Sequence, residues 1–326
     1  MLIVVSAVAP HPGLNLTMPI DYALFAIMAM IWGLTWIAIK AGITAVPPAL
    51  FAAARYLLVA VVLVLAVKGS WLAFRGGAAP RLLVTGFFNN VATYALLFWG
   101  MQYAASGVAG LVNLALMPVA LYGFAIVFGD ERASWRHAAA LVLGVAGLTA
   151  LFWQRSATPE GLREAQGLAA VVAATLSYAL GSQLSRPLLR QLAPLEVTGA
   201  HAIVGAVGLT LLALASGEAT AANFRALASP APLLGLLFLV VLGTFVAYTI
   251  YLRLVHAWGA PRAGLYAFVS PVVALIAGTV AFGEPLGLGE IVGAVAMLAG
   301  AALAMPRPPL KIASARSLPH LDERHR

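Results

Sequence analysis

The sequence predicts an all-α membrane protein of ten transmembrane helices in two five-helix repeats of inverted topology, and three observations carry that prediction. The 326 residues are 62% hydrophobic and only 9% charged, with a mean hydropathy of +0.96, whereas about a quarter of a soluble domain's residues are charged. Ten stretches reach the roughly 20 mostly apolar residues that a helix needs to cross a hydrocarbon core. The two halves of the chain also carry the same landmarks, displaced by 146 to 154 residues.

In order, the spans are 20–40, 48–67, 82–103, 108–128, 135–153, 167–185, 195–215, 232–254, 263–282 and 287–305. They are apolar on consecutive positions, which excludes the alternating pattern of a membrane β-barrel. Ahead of them, Pro10 and Pro12 interrupt an apolar lead that has no basic region, so no cleaved signal is expected. Residues 1–19 are therefore an N-terminal segment expected to be disordered; the organised pattern begins only at Pro19, and Met18 is a candidate initiation residue beside Met1. Residues 20–153 form the first unit, 154–166 a linker, 167–305 the second unit, and 306–326 a charged, proline-rich tail expected to be disordered.

Basic residues set the orientation. With a cytoplasmic N-terminus, 14 of the 19 Lys and Arg fall on the inside, among them Lys68, Arg132, Arg186, Arg253 and the tail. Four fall outside, and Arg55 lies within a span. Both termini are expected inside. The net charge of +8 does not suggest nucleic acid, because no basic run interleaves with aromatics. With no cysteine, thiolate metal sites, disulfides and cysteine nucleophiles are excluded, and neither metal nor cofactor is expected.

The stretch ASGVAGLVNLALMPVALYGFAIVFGDE (105–131) has an echo in GAPRAGLYAFVSPVVALIAGTVAFGE (259–284). A shift of 153 carries Pro118 onto Pro271, Glu131 onto Glu284 and Gly147 onto Gly300. A shift of 146 carries Trp32 onto Tyr178, Lys40 onto Arg186, Pro48 onto Pro194 and Arg55 onto His201, and one of 154 carries Tyr94 onto Tyr248. Each unit has five spans, and an odd number forces the second to enter the membrane upside down. Inverted repeats related by an axis in the membrane plane are a recurrent plan of secondary transporters, with the substrate site near the midplane between the halves.

Polar residues at membrane depth are costly and therefore informative. Asn89, Asn90, Asn113 and Ser270 lie near span centres, with Trp32, Trp36, Tyr94, Tyr178, Tyr248 and Tyr266 as aromatic companions. Trp32 and Trp36 share a helix face. Pro118 and Pro271 remove a backbone donor and disturb the carbonyls of Leu114 and Ala267, at a cost of about 3 kcal/mol in an ordinary helix interior. All twelve are candidate cavity-lining residues; the alternative is packing and hydrogen bonding between helices. Arg55 and His201 read as structural, with His201 the candidate for proton coupling because imidazole titrates near neutrality. Glu131 and Glu284 read as helix-end anchors.

The runs IWGLTWIAIKAG and VPPALFAAARYLL, with the proline helices ending in FGDER and FGEPL, resemble the drug/metabolite transporter superfamily, specifically its EamA-type members with two EamA domains. The resemblance covers about residues 20 to 305. It implies export of small metabolites, often amino acids or their derivatives, from the bacterial cytoplasm. The chain departs from the related small multidrug transporters, which carry a carboxylate in the middle of the first helix. Here that span has only Asp21, at its edge.

The expectation is a bacterial inner-membrane exporter of amino acids or related compounds, with a cavity lined by spans 1, 3, 4, 6, 8 and 9. Its partners would be a small-molecule substrate and the lipid bilayer, with proton coupling to be tested, and the protein a monomer or weak dimer. The alternative within transport is multidrug or aromatic-compound efflux. The alternative of another class is a lipid-linked sugar flippase or membrane enzyme, although no HExxH, GxSxG or glycine-rich phosphate loop is present.

Overall fold

The computed structural model describes residues 18–153 and 159–304. The N-terminal segment up to residue 17, the first part of the expected linker and the tail from 305 lie outside the described residues. Ten longer helices follow one another: α1 (Met18–Ala45), α2 (Pro48–Ala66), α3 (Ala79–Gly100), α4 (Ser106–Val127), α5 (Trp135–Trp153), α6 (Pro159–Ser185), α7 (Pro194–Ala215), α8 (Pro230–Trp258), α9 (Tyr266–Phe282) and α10 (Leu288–Ala304). No strand occurs among the described residues. Seven of the helices (α1 to α4 and α6 to α8) are long and apolar enough to cross a membrane; the apolar parts of α5, α9 and α10 are shorter.

Local sequence explains most boundaries. Proline at the first turn, where its missing N–H is not needed, starts α2, α7 and α8. Helix α6 begins at Pro159, well before residue 167, with Glu160 in the first turn where the helix dipole favours an acid. The expected linker is thus partly helical. Gly283, at φ +63°, ends α9 in a left-handed conformation that favours glycine.

The most extensive helix contacts all join one half of the chain to the other: α5 with α10, α2 with α7, α4 with α9, α1 with both α9 and α8, and α6 with both α4 and α3. The set is self-consistent under exchange of the halves, since α1 with α9 becomes α6 with α4. The two halves interdigitate rather than forming separate bundles. Where α5 meets α10, a Cβ on Gly147 would lie 2.5 Å from Met297 Cγ, and one on Gly300 would lie 2.9 Å from the Ala140 carbonyl oxygen. Small residues are what let these two backbones approach. Large apolar side chains such as Leu65, Val142, Leu211 and Val280 point outward. An apolar exterior of this kind suits lipid rather than water.

Within α3 and α8 the winding loosens into π-helical turns, at Phe87–Ala92 and Phe238–Val246. A threonine hydroxyl donates to the carbonyl five residues back at each: Thr93, directly after the first turn, to Phe88 at 2.7 Å, and Thr244, within the second, to Leu239 at 2.9 Å. Such turns free backbone groups and recur at functional sites.

Candidate functional site

Helices α1, α8 and α9 bring an aromatic group together. The Trp32 ring lies 4.3 Å from that of Tyr266 and 5.6 Å from that of Tyr251, and Tyr251 in turn is 5.9 Å from Tyr266 and 6.3 Å from Tyr248. The Trp32 indole N–H donates to the Gly243 carbonyl at 3.0 Å, inside the π turn of α8. That turn therefore exposes an acceptor which the tryptophan uses. Tyr178 lies on α6, which packs against α3. These aromatics are half-buried although they stand between helices of both halves, as side chains lining an internal space would be.

On the α2 and α3 side, the Tyr56 and Tyr94 rings meet edge to face at 4.8 Å. The Arg55 guanidinium lies 5.1 Å from the Tyr94 centroid and 5.9 Å from that of Tyr56, within range of a cation–π attraction. Its Nη2 reaches Thr244 Oγ1 at 3.5 Å, which links α2 to the π turn of α8. Arg55 thus points among the tyrosines, a placement its sequence reading as a structural residue missed. Tyr56 and Tyr251 were missed as well. The signal for Tyr251 was its place three residues after Tyr248, on the same helix face.

Other candidates are committed to helix packing. Asn89 Nδ2 donates to Ser185 Oγ at 3.3 Å, and Asn90 Nδ2 to the His201 carbonyl at 2.6 Å. Ser270 Oγ donates to the Ala29 carbonyl at 2.9 Å, which ties α9 to α1. Beside it Pro271 is buried, whereas Pro118 is half-buried. His201 is buried with Nε2 2.8 Å from Thr85 Oγ1. Thr85 lies nine residues, more than two turns, along α3 from Tyr94. Asn113 donates to Thr175 Oγ1 at 2.9 Å, between α4 and α6, and stays half-buried. Trp36 is buried without a partner for its indole nitrogen, packed so closely that a Cβ on Gly110 would lie 2.9 Å from its ring.

The helix ends are held unequally. Near the start of α4, the Glu284 carboxylate accepts from Ser106 N at 2.5 Å, Ser106 Oγ at 2.6 Å and Gly107 N at 2.8 Å. Beside it, Lys40 Nζ donates to the Met101 and Ala104 carbonyls, at 2.8 and 3.0 Å, at the end of α3. An acid at a helix N-terminus and a base at a C-terminus both complement the backbone dipoles. The repeat equivalents behave differently. Glu131, beyond the end of α4, accepts from Tyr122 at 3.3 Å, and Asp130 pairs with Arg186 at 2.8 Å and accepts from Gln183, so side chains rather than helix caps join the halves here. A separate cavity of about 490 Å³ lies beyond the Lys40 end, lined by Val46, Pro47, Trp99, Gln102, Glu218 and Asn223. Its acid, Glu218, already accepts from Leu50 N at 2.9 Å.

The model of the EamA-like transporter family matches residues 20–153 and again 165–305. The chain belongs to the EamA-like transporter family. Relatives of this EamA chain include an uncharacterized transporter of Archaeoglobus fulgidus, 24% identical, with 86% of this chain and 96% of that protein aligned. The uncharacterized inner membrane transporter YedA of Escherichia coli K12 is 26% identical over 90% of this chain and 94% of its own length. A probable amino-acid metabolite efflux pump of Salmonella typhimurium is 26% identical over 86% and 93%. One solved crystal structure shares the fold with a TM-score of 0.56 at 20% identity, covering 88% of this chain and 97% of that one. The EamA chain is thus a multi-pass membrane transporter.

Proposed function

We propose that this protein is a secondary transporter that exports small metabolites, amino acids or related compounds, across the bacterial inner membrane by alternating access. The observation that carries this reading is the aromatic group built by helices of both halves, combined with caps at one end of it only. All ten helices cross the membrane in two inverted five-helix repeats, 20–153 and 167–305, with both termini cytoplasmic. The Lys40 and Glu284 end then faces outside and is shut, and the Glu131 and Arg186 end faces the cytoplasm. In the alternate state the repeat equivalents exchange roles. Trp32, Tyr94, Tyr178, Tyr248 and Tyr266 line the substrate path, with Asn113 and Pro118 on the flank given by α4. The probable amino-acid metabolite efflux pump among the relatives supports the substrate class.

Counterflow into proteoliposomes with a panel of labelled amino acids tests the reading. Accumulation of at least one amino acid above empty liposomes is expected. A protein that moves none of them while scrambling a fluorescent phospholipid would be a flippase instead.

A further inference from the structure

Among the described residues Arg55 is the charged side chain farthest from a helix end, seven residues into α2, and every described Asp and Glu lies nearer a helix end or outside the helices. Among the described residues no acid pairs with it. Asp21 is taken by Arg253 at 3.1 Å and Asp130 by Arg186 at 2.8 Å, while Glu284 and Glu218 cap helices. Its Nε is buried with no partner, and its one protein hydrogen bond, to Thr244, is a long 3.5 Å. A turn beyond Thr244 on α8, the Tyr248 hydroxyl is also buried without a partner. A guanidinium offers five donors in a planar fork that matches a carboxylate. Holding it unneutralised among tyrosines is expensive unless an anion arrives.

The geometry points to Arg55 as the residue that binds the carboxylate of the transported solute, with the Tyr248 hydroxyl as an additional polar contact and the tyrosine faces receiving the remainder. This rests on the proposed transport reading and narrows it to solutes that carry a single carboxylate. A zwitterionic amino acid fits, because its ammonium can lie against ring faces; an amine or amide lacking the carboxylate does not.

The test compares wild type, Arg55→Gln and Arg55→Lys in proteoliposomes, using labelled amino acids and their carboxamides, alongside thermal melts in detergent. Wild type is expected to move acids at least tenfold faster than amides. Arg55→Gln should collapse that ratio toward one with at least a tenfold loss of acid flux, and Arg55→Lys should fall between. Melting of Arg55→Gln at or above the wild-type temperature is expected for a residue kept for binding. A lower melting temperature with the acid-to-amide ratio retained overturns the proposal. If wild type moves no amino acid, the transport substrate class fails separately, and Arg55 is decided by binding. Stabilisation of wild type but not Arg55→Gln by hydroxy or keto monocarboxylates upholds it. No stabilisation, or stabilisation only by inorganic phosphate or phosphatidylglycerol, overturns it.

Discussion

Three polar contacts made by single side chains decide how the helices meet. Glu284 satisfies the first donors of α4 from another helix hairpin. Replacing Glu284 with alanine leaves those donors and the Ser106 hydroxyl without their acid, and is expected to cost about 2 kcal/mol. A melt in detergent should show it as a drop of several degrees, with faster chymotrypsin cleavage after the exposed Tyr103 in the loop before Ser106. Trp32 is different, because its ring faces tyrosines while its N–H holds the Gly243 carbonyl. Trp32→Phe keeps the aromatic packing and loses one hydrogen bond, about 1 kcal/mol, so it should retain more flux than Trp32→Ala. Equal flux in the two would remove the hydrogen bond from the account. His201 is buried against Thr85 and is not among the tyrosines. His201→Gln is accordingly expected to leave the response of flux to an imposed pH gradient as it is in wild type, measured with the same liposomes.

At the level of helices, α5 and α10 act as a brace whose fit depends on Gly147 and Gly300. Gly300→Val places a branched side chain against the Ala140 carbonyl, and overpacking of this kind costs about 1 to 3 kcal/mol. Lower yield of folded protein and a lower melting temperature are expected, with the acid-to-amide selectivity of the remaining protein unchanged, because this pair does not touch the aromatic group. The π turns of α3 and α8 belong to the other class of element. They were not legible from sequence, since Phe87–Ala92 and Phe238–Val246 read as ordinary apolar runs. The threonines that close them are common in membrane helices, and only the carbonyl five residues back distinguishes this winding.

Across the whole molecule, the unequal caps predict a device that can be locked. The chain has no cysteine, so an introduced pair is free of background chemistry. Ser106→Cys with Glu284→Cys, joined by a short bis-methanethiosulfonate cross-linker that spans the reach of the glutamate side chain, should stop counterflow, and reduction should restore it. Flux that persists in the fully cross-linked protein would mean that this end does not open during transport. Single cysteines place the ends independently. One at Lys68 should be labelled from the cytoplasmic side and one at Thr44 from outside, and the reverse pattern would invert the orientation drawn from basic residues.

The membrane class, the helix positions and the repeat were legible in the sequence because they depend on local quantities: apolar runs of sufficient length, prolines at first turns, and landmarks that recur in register, such as Pro118 with Pro271. The meeting of Trp32, Tyr248 and Tyr266 agrees with their choice as aromatic candidates, whereas Trp36 is buried against Gly110. Which polar residues their neighbours leave available was not legible. Asn89, Asn90, Asn113 and Ser270 all look free in one dimension, and only the partner helices show a donor of each occupied. The placement of Arg55 over Tyr94, and the interdigitation of the halves that puts α2 beside the π turn of α8, were likewise decided by tertiary structure. The physical reason is range: hydrophobicity and helix propensity act within a few turns of chain, whereas the direction of a charge at membrane depth depends on groups nearly 200 residues away.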